Sequence, residues 1–498
     1  MSKHRIKIAL AGIVLLGLVL RLFALVFEPP HHPDEFFQYL EPAWKRLTGA
    51  GVETWEWRRG IRSWVLPGYH GAWMALLMRF GIHDGVKIAT FLRLHWALLS
   101  LVLVWAGWRG GALLARRLEP APEGISNDKD TAPAGWQGGL VGALLCAAFP
   151  LLVRFSIHTF SELASILCMV PAMVLTAELS EGRANRGKAV WMGVLLGLGL
   201  CLRIQHAAIP LVAVLWLLLA RRFMLALVAC AAALLPVLAF AGVDWLTWGS
   251  FFSSYIGYLK FNIFEGGAAT FGTSPLGWYW HQFLSRLPLG LPILGILCVL
   301  GFRTVWPFVS AAVGLVLLLS TQQHKEERFV MLFWPLVLIA AAGSIGAWLG
   351  PRPSVAPTPA QAANRPARFH RRHHWLVRVA MLVSIAIVLG DGALHCRGND
   401  FAELFPARFA AQAWVGRQDD VTGLLYDEPL YVGGYLWFGR TFPQLQFDPI
   451  LLGNPLFSHV LVPRNSASMH VAERAGFVPV FTQDAFVVLR RNADGPRP

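Results

Sequence analysis

The chain has 498 residues, of which 55% are hydrophobic and only 14% charged, and its mean hydropathy is +0.51. That excludes a soluble globular protein. The formal net charge of +14 would suit nucleic acid, but the basic residues flank apolar runs as membrane orientation signals do, so the expected partner is a bilayer and not nucleic acid. The 21 tryptophans and 32 phenylalanines fit interface belts and lipid-facing surface. Cys146, Cys168, Cys201, Cys230 and Cys298 lie in apolar runs without CxxC spacing and read as buried thiols, while Cys396 stands alone.

Ile6 to Phe27 reads as a first spanning helix, with Lys3, Arg5 and Lys7 holding its start in the cytoplasm. It is long, carries Arg21 and lacks a small-residue cleavage site, so it is not a cleaved signal peptide. His31 to Ala43 (HHPDEFFQYLEPA) follows at once. Pro33 suits the first turn of a helix, and Asp34 and Glu35 would lie near the positive end of its dipole. In an α-helix Asp34 and Gln38 would share a face, as would His31 and Glu35. Alone, the acidic pair reads as helix stabilisation. Outside a first span, and followed by Thr54-Trp55-Glu56-Trp57 and Arg62-Ser63, it reads as a catalytic carboxylate that takes a proton from an acceptor hydroxyl.

Trp64–Ile82 is expected to lie in the interface. Later apolar runs are Ile88–Ala115, Gly138–Val153, Phe160–Ala177, Ala189–Arg203, Ala207–Ala220, Arg222–Gly242, Pro288–Leu300, Val305–Thr321, Phe329–Leu349 and Trp375–Leu389. With the first helix this predicts about eleven spans. Pro351–His374 holds five arginines, three histidines and no acid, and is read as cytoplasmic, as are Arg183, Arg186 and Lys188 and the pair Arg221-Arg222. The acids and bases of Arg116–Gln137 balance and orient nothing. Glu28–Lys87, Ser156–Ser161, Gly242–Leu287, Gln322–Arg328 and everything after about Gly390 then share the outer side. Residues 1–350 form the membrane catalytic region, with 28–87 as its first outer loop. A basic linker, 351–374, contains the Pro/Ala-rich stretch Ala356–Arg368. A last span covers 375–390. Residues 391–498 are expected to form a small soluble α/β domain, with strands in Val421–Asp427, His459–Arg464 and Phe477–Arg491 and a helix at Met469–Ala475.

The motifs HPDEFFQYLEPAW and ETWEWRRGIRSWVLPG resemble the amino-terminal signature of glycosyltransferase family 22, the mannosyltransferases of GPI-anchor and lipid-linked N-glycan assembly, which have the GT-C fold. The resemblance continues at Thr159-Phe160-Ser161-Glu162, at Asp244-Trp245 with Gly249 and Lys260-Phe261-Asn262, at Gly277-Trp278-Tyr279-Trp280, and at His324-Lys325-Glu326-Glu327-Arg328-Phe329. It covers roughly residues 6–350. Two positions depart from the family pattern: His158 stands where an arginine is usual, and Arg203-Ile204-Gln205 where Arg-Pro-Thr is common.

The resemblance implies a polytopic α-helical membrane enzyme that moves a hexose, mannose above all, from a polyprenyl-phosphate donor to a glycolipid or glycan hydroxyl, with inversion. It implies Asp34 and Glu35 as the catalytic pair. Lys325, Arg328, His324 and Arg203 are expected at the donor phosphate, where cations stabilise the developing charge. His32, Gln38, Trp55, Glu56, Trp57, Arg62, Glu162 and Asp244 are expected around the substrates. Taken singly, the cations read as snorkelling caps and the tryptophans as interface anchors. No cofactor is expected beyond the lipid-phosphate sugar, and one acidic pair with scattered histidines is a poor metal cage. A glycolipid transporter is the competing class, but a transporter needs polar residues at mid-membrane and often repeats, whereas the charges here cluster at one face. A GT-C transferase of another sugar is the third reading. The Ala-, Gly-, Arg- and Trp-rich composition reads as bacterial, with a monomeric enzyme in the inner membrane and its site facing the periplasm.

Overall fold

Apolar length decides the architecture. In this computed structural model residues 2–28, 30, 32–118, 133–182, 184–350, 367–395, 404–427 and 434–492 are described. His31, Arg183, Cys396, residues 351–366 of the basic linker and most of the loop Arg116–Gln137 lie outside them. Every apolar run read from the sequence lies on helix. Among the described residues, seven helical stretches are long and apolar enough to cross a membrane: Lys3–Phe27, Gly85–Leu118, Ser161–Glu181, Phe223–Trp248, Phe302–Ser320, Glu327–Leu349 and Trp375–His395. The pair Trp278–Arg286 and Gly290–Leu300, bent by 105°, makes an eighth if it is one span. The sequence count of about eleven also includes shorter apolar runs. A hydropathy window counts composition, whereas Trp136–Ala148 and Ile204–Leu219 are apolar but short, and a helix rises only about 1.5 Å per residue. Trp64–Ile82 forms the 15-residue helix Val65–Arg79, which is not one of the seven.

Packing inside the bundle is set by small residues and by buried charge, Arg21 among it. Gly107 and Gly111 on the helix Val102–Leu118 face Gly142 and Gly138 on Trp136–Ala148. A Cβ at either Gly107 or Gly111 would stand 2.3 Å from the facing carbonyl oxygen, so the two backbones meet as small-xxx-small pairs do in membranes. Arg21 is fully buried. Its Nε donates to Ser100 Oγ (2.6 Å), Nη1 to the carbonyls of Gly17 (3.0 Å) and Ala147 (3.1 Å), and Nη2 to that of Cys146 (3.4 Å). Pro150, four residues beyond Cys146, has no amide proton to give that carbonyl, so the break at Phe149-Pro150 leaves an acceptor for the guanidinium.

Contacts gather one set of helix ends. Glu28 pairs with Arg154 (2.7 Å), Tyr39 donates to Ser161 (2.8 Å), Trp248 donates to the Arg62 carbonyl (3.1 Å), and Arg286 reaches the His395 carbonyl (3.4 Å). Asp391 accepts the amides of Leu289 (2.9 Å) and Gly290 (2.7 Å), which caps the second half of the bent pair. Another set meets separately. Lys188 and Arg109 pair with Glu178, and Arg222 donates to the carbonyls of Ser180, Glu181 and Gly182.

The carboxyl-terminal part forms a five-stranded sheet of order β2-β1-β3-β5-β4: β1 Leu424–Tyr426, β2 Gln444–Gln446, β3 His459–Pro463, β4 Phe477–Gln483 and β5 Phe486–Arg491. β1 runs parallel to β2 and β3; β5 is antiparallel to β3 and β4. Leu424, Leu461 and Val488 face one apolar cluster and Leu425, Val460 and Leu489 the other, so both faces are covered. The short strand β2 was not legible in the sequence.

This domain is clamped to the first loop. Phe36, Leu40 and Trp44 share an apolar cluster with Phe409, Leu436 and Trp437. The buried Glu41 carboxylate accepts the amides of Val52 (2.9 Å), Tyr435 (2.8 Å) and Leu436 (3.0 Å). Gly434, at φ +56°, leaves room for it, because a Cβ there would lie 2.3 Å from the carboxyl carbon. Burial pushes the Glu41 carboxyl up from 4.5 to about 7, although all three amides oppose that shift. A raised value favours the protonated, docked form. The gain is complete below about pH 4.5 and is lost as pH rises through about 7. Amide protection of Tyr435 and Leu436, measured by hydrogen exchange and corrected for intrinsic rates, should therefore be stronger at pH 5.5 than at pH 8, by up to about 2 kcal/mol. Glu41→Gln should flatten that dependence.

Candidate active site

Pro33 and Asp34 begin a helical turn that widens into a π-helix over Glu35–Leu40 before the α-helix Glu41–Thr48. A π segment adds a residue per turn, so the α-helical face expected for Asp34 and Gln38 does not form. Asp34 stays partly exposed and faces Arg328, while Gln38 is buried and lines a neighbouring cleft. Glu35 turns inward. It is fully buried, accepts from His158 Nδ1 (2.8 Å) and takes the Thr159 amide on its second oxygen (3.1 Å). Of the expected catalytic pair, Glu35 is therefore the buried member, and it pins the first loop to the segment before the helix Ser161–Glu181. His158, the residue that departs from the family pattern, is its partner.

The second motif splits at Glu326, whose extended backbone (φ −132°, ψ 146°) separates Lys325 from the 3₁₀ turn Glu327–Val330. Lys325 and Arg328 therefore do not share a helical face. Lys325 is buried and donates to the carbonyls of Ser274 (2.8 Å) and Gln322 (2.5 Å). It ties two loops together in this structure, whereas the sequence placed it at the donor phosphate. Arg328 meets Asp34 Oδ2 (2.5 Å), Glu326 Oε2 (2.6 Å) and, more loosely, Glu162 Oε1 (3.7 Å). Its guanidinium lies over the rings of Phe160 (4.8 Å) and Phe329 (5.3 Å). Burial alone would raise the Asp34 carboxyl, but the Arg328 guanidinium and His32 outweigh it and hold Asp34 below its ordinary value. Glu326 behaves likewise, driven well below the usual range by Arg328 and by hydrogen bonds from His32, His324 and Arg328 against its burial. The bond from Glu326 raises His324 in return (3.0 Å), more than burial lowers it.

The other expected substrate residues divide. Glu162 is fully buried between Arg203 (3.0 Å) and Arg328 and accepts from Ser161 (3.2 Å), so it joins two cations. Asp244, also buried, caps Ser254 through its amide (2.9 Å) and hydroxyl (2.6 Å), a structural role. Trp57 is buried against Trp64 (4.7 Å) and donates to the Phe37 carbonyl (2.9 Å), so it too is structural. Trp55 packs on Phe261 (4.7 Å) and Phe271 (6.0 Å), with Arg59 over its ring. Glu56 pairs with Arg62. His32 accepts the Asp34 amide at Nδ1 (3.1 Å) and places Nε2 3.4 Å from Glu326. Among the described residues His32, Asp34 and Glu326 could hold a cation, their ligand atoms lying within 4.8 Å of one another. Arg328 bonds to both carboxylates already, so its guanidinium stands where such an ion would act.

The model of the Alg9-like mannosyltransferase family matches residues 12–407. The chain belongs to this family. Curated relatives include GPI mannosyltransferase 3 of Yarrowia lipolytica (29% identical, 75% of this chain and 66% of the relative), mannosyltransferase APTG1 of Arabidopsis thaliana (27%, 64% and 55%) and GPI mannosyltransferase 3 of Drosophila melanogaster (28%, 68% and 56%). The matched stretches thus span less than two thirds of the length of these relatives. Among solved structures, ArnT from Cupriavidus metallidurans bound to undecaprenyl phosphate superposes with a TM-score of 0.60 over 98% of this chain and 99% of that one, at 12% identity. Arabinofuranosyltransferase AftD from Mycobacteria gives 0.52 over 100% of this chain and 40% of that one, at 17% identity. These likenesses concern the fold alone, and they support the polytopic GT-C membrane fold expected from the sequence.

Within this family chain, sequence reading missed Tyr39, Gln205, Tyr258 and the role of His158. Tyr39 lies in the acidic motif itself, and Gln205 follows the recognised Arg203, so adjacency was their only signal. Glu35→Ala removes the acceptor of two buried donors and should lower stability by at least about 2 kcal/mol. Asp34→Ala should cost about 1 kcal/mol or less, because Arg328 keeps Glu326 and the pair is partly exposed. Thermal unfolding of both variants in detergent checks the contrast.

Proposed function

We propose that the protein is an integral-membrane mannosyltransferase that moves mannose from a polyprenyl-phosphate carrier to a hydroxyl of a glycolipid or glycan, with inversion. The family supports the reaction class. The observation that carries the site is the Asp34–Arg328 pair (2.5 Å): of the two adjacent acids, only Asp34 is partly exposed. In the reaction the acceptor oxygen attacks the sugar carbon on the face opposite the phosphate. The carbon–oxygen bond to phosphate breaks, its electrons leave with the phosphate, and Asp34 takes the hydroxyl proton. A carboxylate held ionised suits a base that receives the proton late, once bond cleavage has made the hydroxyl acidic. Arg328 keeps Asp34 charged and oriented. Asp34→Asn should lower turnover roughly 10²–10⁴-fold with the protein still folded and inserted. Because Asp34 lies below its ordinary value of 3.8, wild-type kcat/KM should stay flat from pH 8 down to 5. Near-normal turnover in Asp34→Asn, measured with a synthetic lipid-phosphate mannose, overturns the role.

The proposal extends to placement. Alanine-, glycine- and arginine-rich composition supports a bacterial inner membrane, with the gathered ends around Asp34 and the carboxyl-terminal domain on the periplasmic face and the linker 351–374 in the cytoplasm; the curated relatives named above are eukaryotic. In intact cells an impermeant thiol reagent should label Ser468→Cys and not Ser354→Cys. Equal labelling of both overturns the orientation.

A further inference from the structure

Beside the Asp34 network, a cleft runs between the first loop, the end of the helix Arg186–Leu202 and the helix Ser253–Leu259. Arg62 and Arg203 line it, and none of the described residues lining it is a carboxylate. Each arginine meets a carboxylate through one Nη and lies over a ring, Arg203 over Phe329 (4.8 Å) and Arg62 over Tyr258 (5.9 Å). Nη2 of Arg62 donates to Glu56, and Nη2 of Arg203 forms an ion pair with Glu162 (3.0 Å). The Nε–H of each is buried without an acceptor. Buried donors of charged groups are seldom left in this state, so two in one cleft point to an absent acceptor. A third donor joins them. Tyr258, 5.9 Å beneath the Arg62 guanidinium, accepts from Gln205 Nε2 and keeps its own hydroxyl proton to give. Tyr39 borders the same space and reaches the Arg203 side through Ser161 and Glu162.

The motif at 324–329 offers less to an anion. Lys325 is bound to backbone carbonyls, and Arg328, although its Nη1–H is also unpaired, stands among three carboxylates that repel a phosphate. We propose that the cleft lined by Arg62 and Arg203 holds the phosphate of the lipid-linked donor, with Tyr258 donating a further hydrogen bond, and that the charged motif at 324–329 serves Asp34 instead. This rests on the reading of the chain as a transferase with a lipid-phosphate donor. It puts the leaving phosphate on the Arg203 side of Glu162 and the base on the Arg328 side, which separates leaving group from base as an inverting displacement requires.

The test is binding, so it does not depend on transfer. Full-length protein in detergent is titrated with polyprenyl phosphate, with uncharged polyprenol and with phosphatidate, and bound lipid is read by native mass spectrometry. Wild-type protein should retain polyprenyl phosphate over the other two. Arg62→Lys and Arg203→Lys keep the charge but lose the Nε–H geometry, and each should weaken retention at least about tenfold. Tyr258→Phe removes the hydroxyl alone and should weaken it a few fold, which guards against arginine variants that fold poorly. Wild-type levels of retention in all three variants overturn the assignment and leave the transferase reading intact. Failure of wild-type protein to retain polyprenyl phosphate at all overturns the donor class itself. Equal retention of phosphatidate shows a general phospholipid contact and overturns the donor assignment.

Discussion

Arg328 draws together carboxylates from three remote stretches of chain: Asp34 from the first loop, Glu162 from the start of a buried span, and Glu326 from its own motif. Three acids at this spacing would repel one another in a medium of low dielectric. The guanidinium, with Arg203 on the far side of Glu162, makes their proximity tolerable. Asp34 can remain charged at the edge of a membrane protein because this cation stands beside it. That bridge joins the first loop, the start of the span Ser161–Glu181 and the segment before Phe333–Leu349.

Around this centre, residues that look catalytic in one dimension turn out to hold the frame. Glu35, Glu162, Asp244 and Lys325 are polar groups in poor surroundings for charge, and each is engaged by protein partners: Glu35 by His158, Glu162 by Arg203 and Ser161, Asp244 by Ser254, and Lys325 by backbone carbonyls. A sequence shows that such residues cluster near membrane boundaries. It does not show which way each side chain turns, because that is settled by one-residue features: a π segment at Glu35 and an extended residue at Glu326.

The helices were legible from apolar runs, since a hydrocarbon environment leaves the backbone few alternatives. The number long enough to span was less legible, because composition does not report where Pro150 breaks a helix or where the pair around Leu287 bends. In the carboxyl-terminal domain β1, β3, β4 and β5 showed through alternation. β2 is three residues long and flanked by unremarkable sequence, too short for a period-two pattern. Asp34 and Arg328 were legible as a motif, whereas the cleft at Arg62 and Arg203 was not, since its residues come from positions as far apart as Gln38 and Tyr258.

The clamp at Glu41 also bears on how the molecule comes to be made. Glu41 leaves the ribosome before the bundle is made, and its partners Tyr435 and Leu436 follow 394 and 395 residues later. Throughout synthesis of the bundle the loop that carries Asp34 lacks those amides and the apolar cover of Phe409 and Trp437. Closure over so long a stretch of chain is slow relative to helix formation. A domain translated after the bundle therefore completes the first loop, so a product stalled before it would insert in the membrane yet hold its acidic motif unfinished.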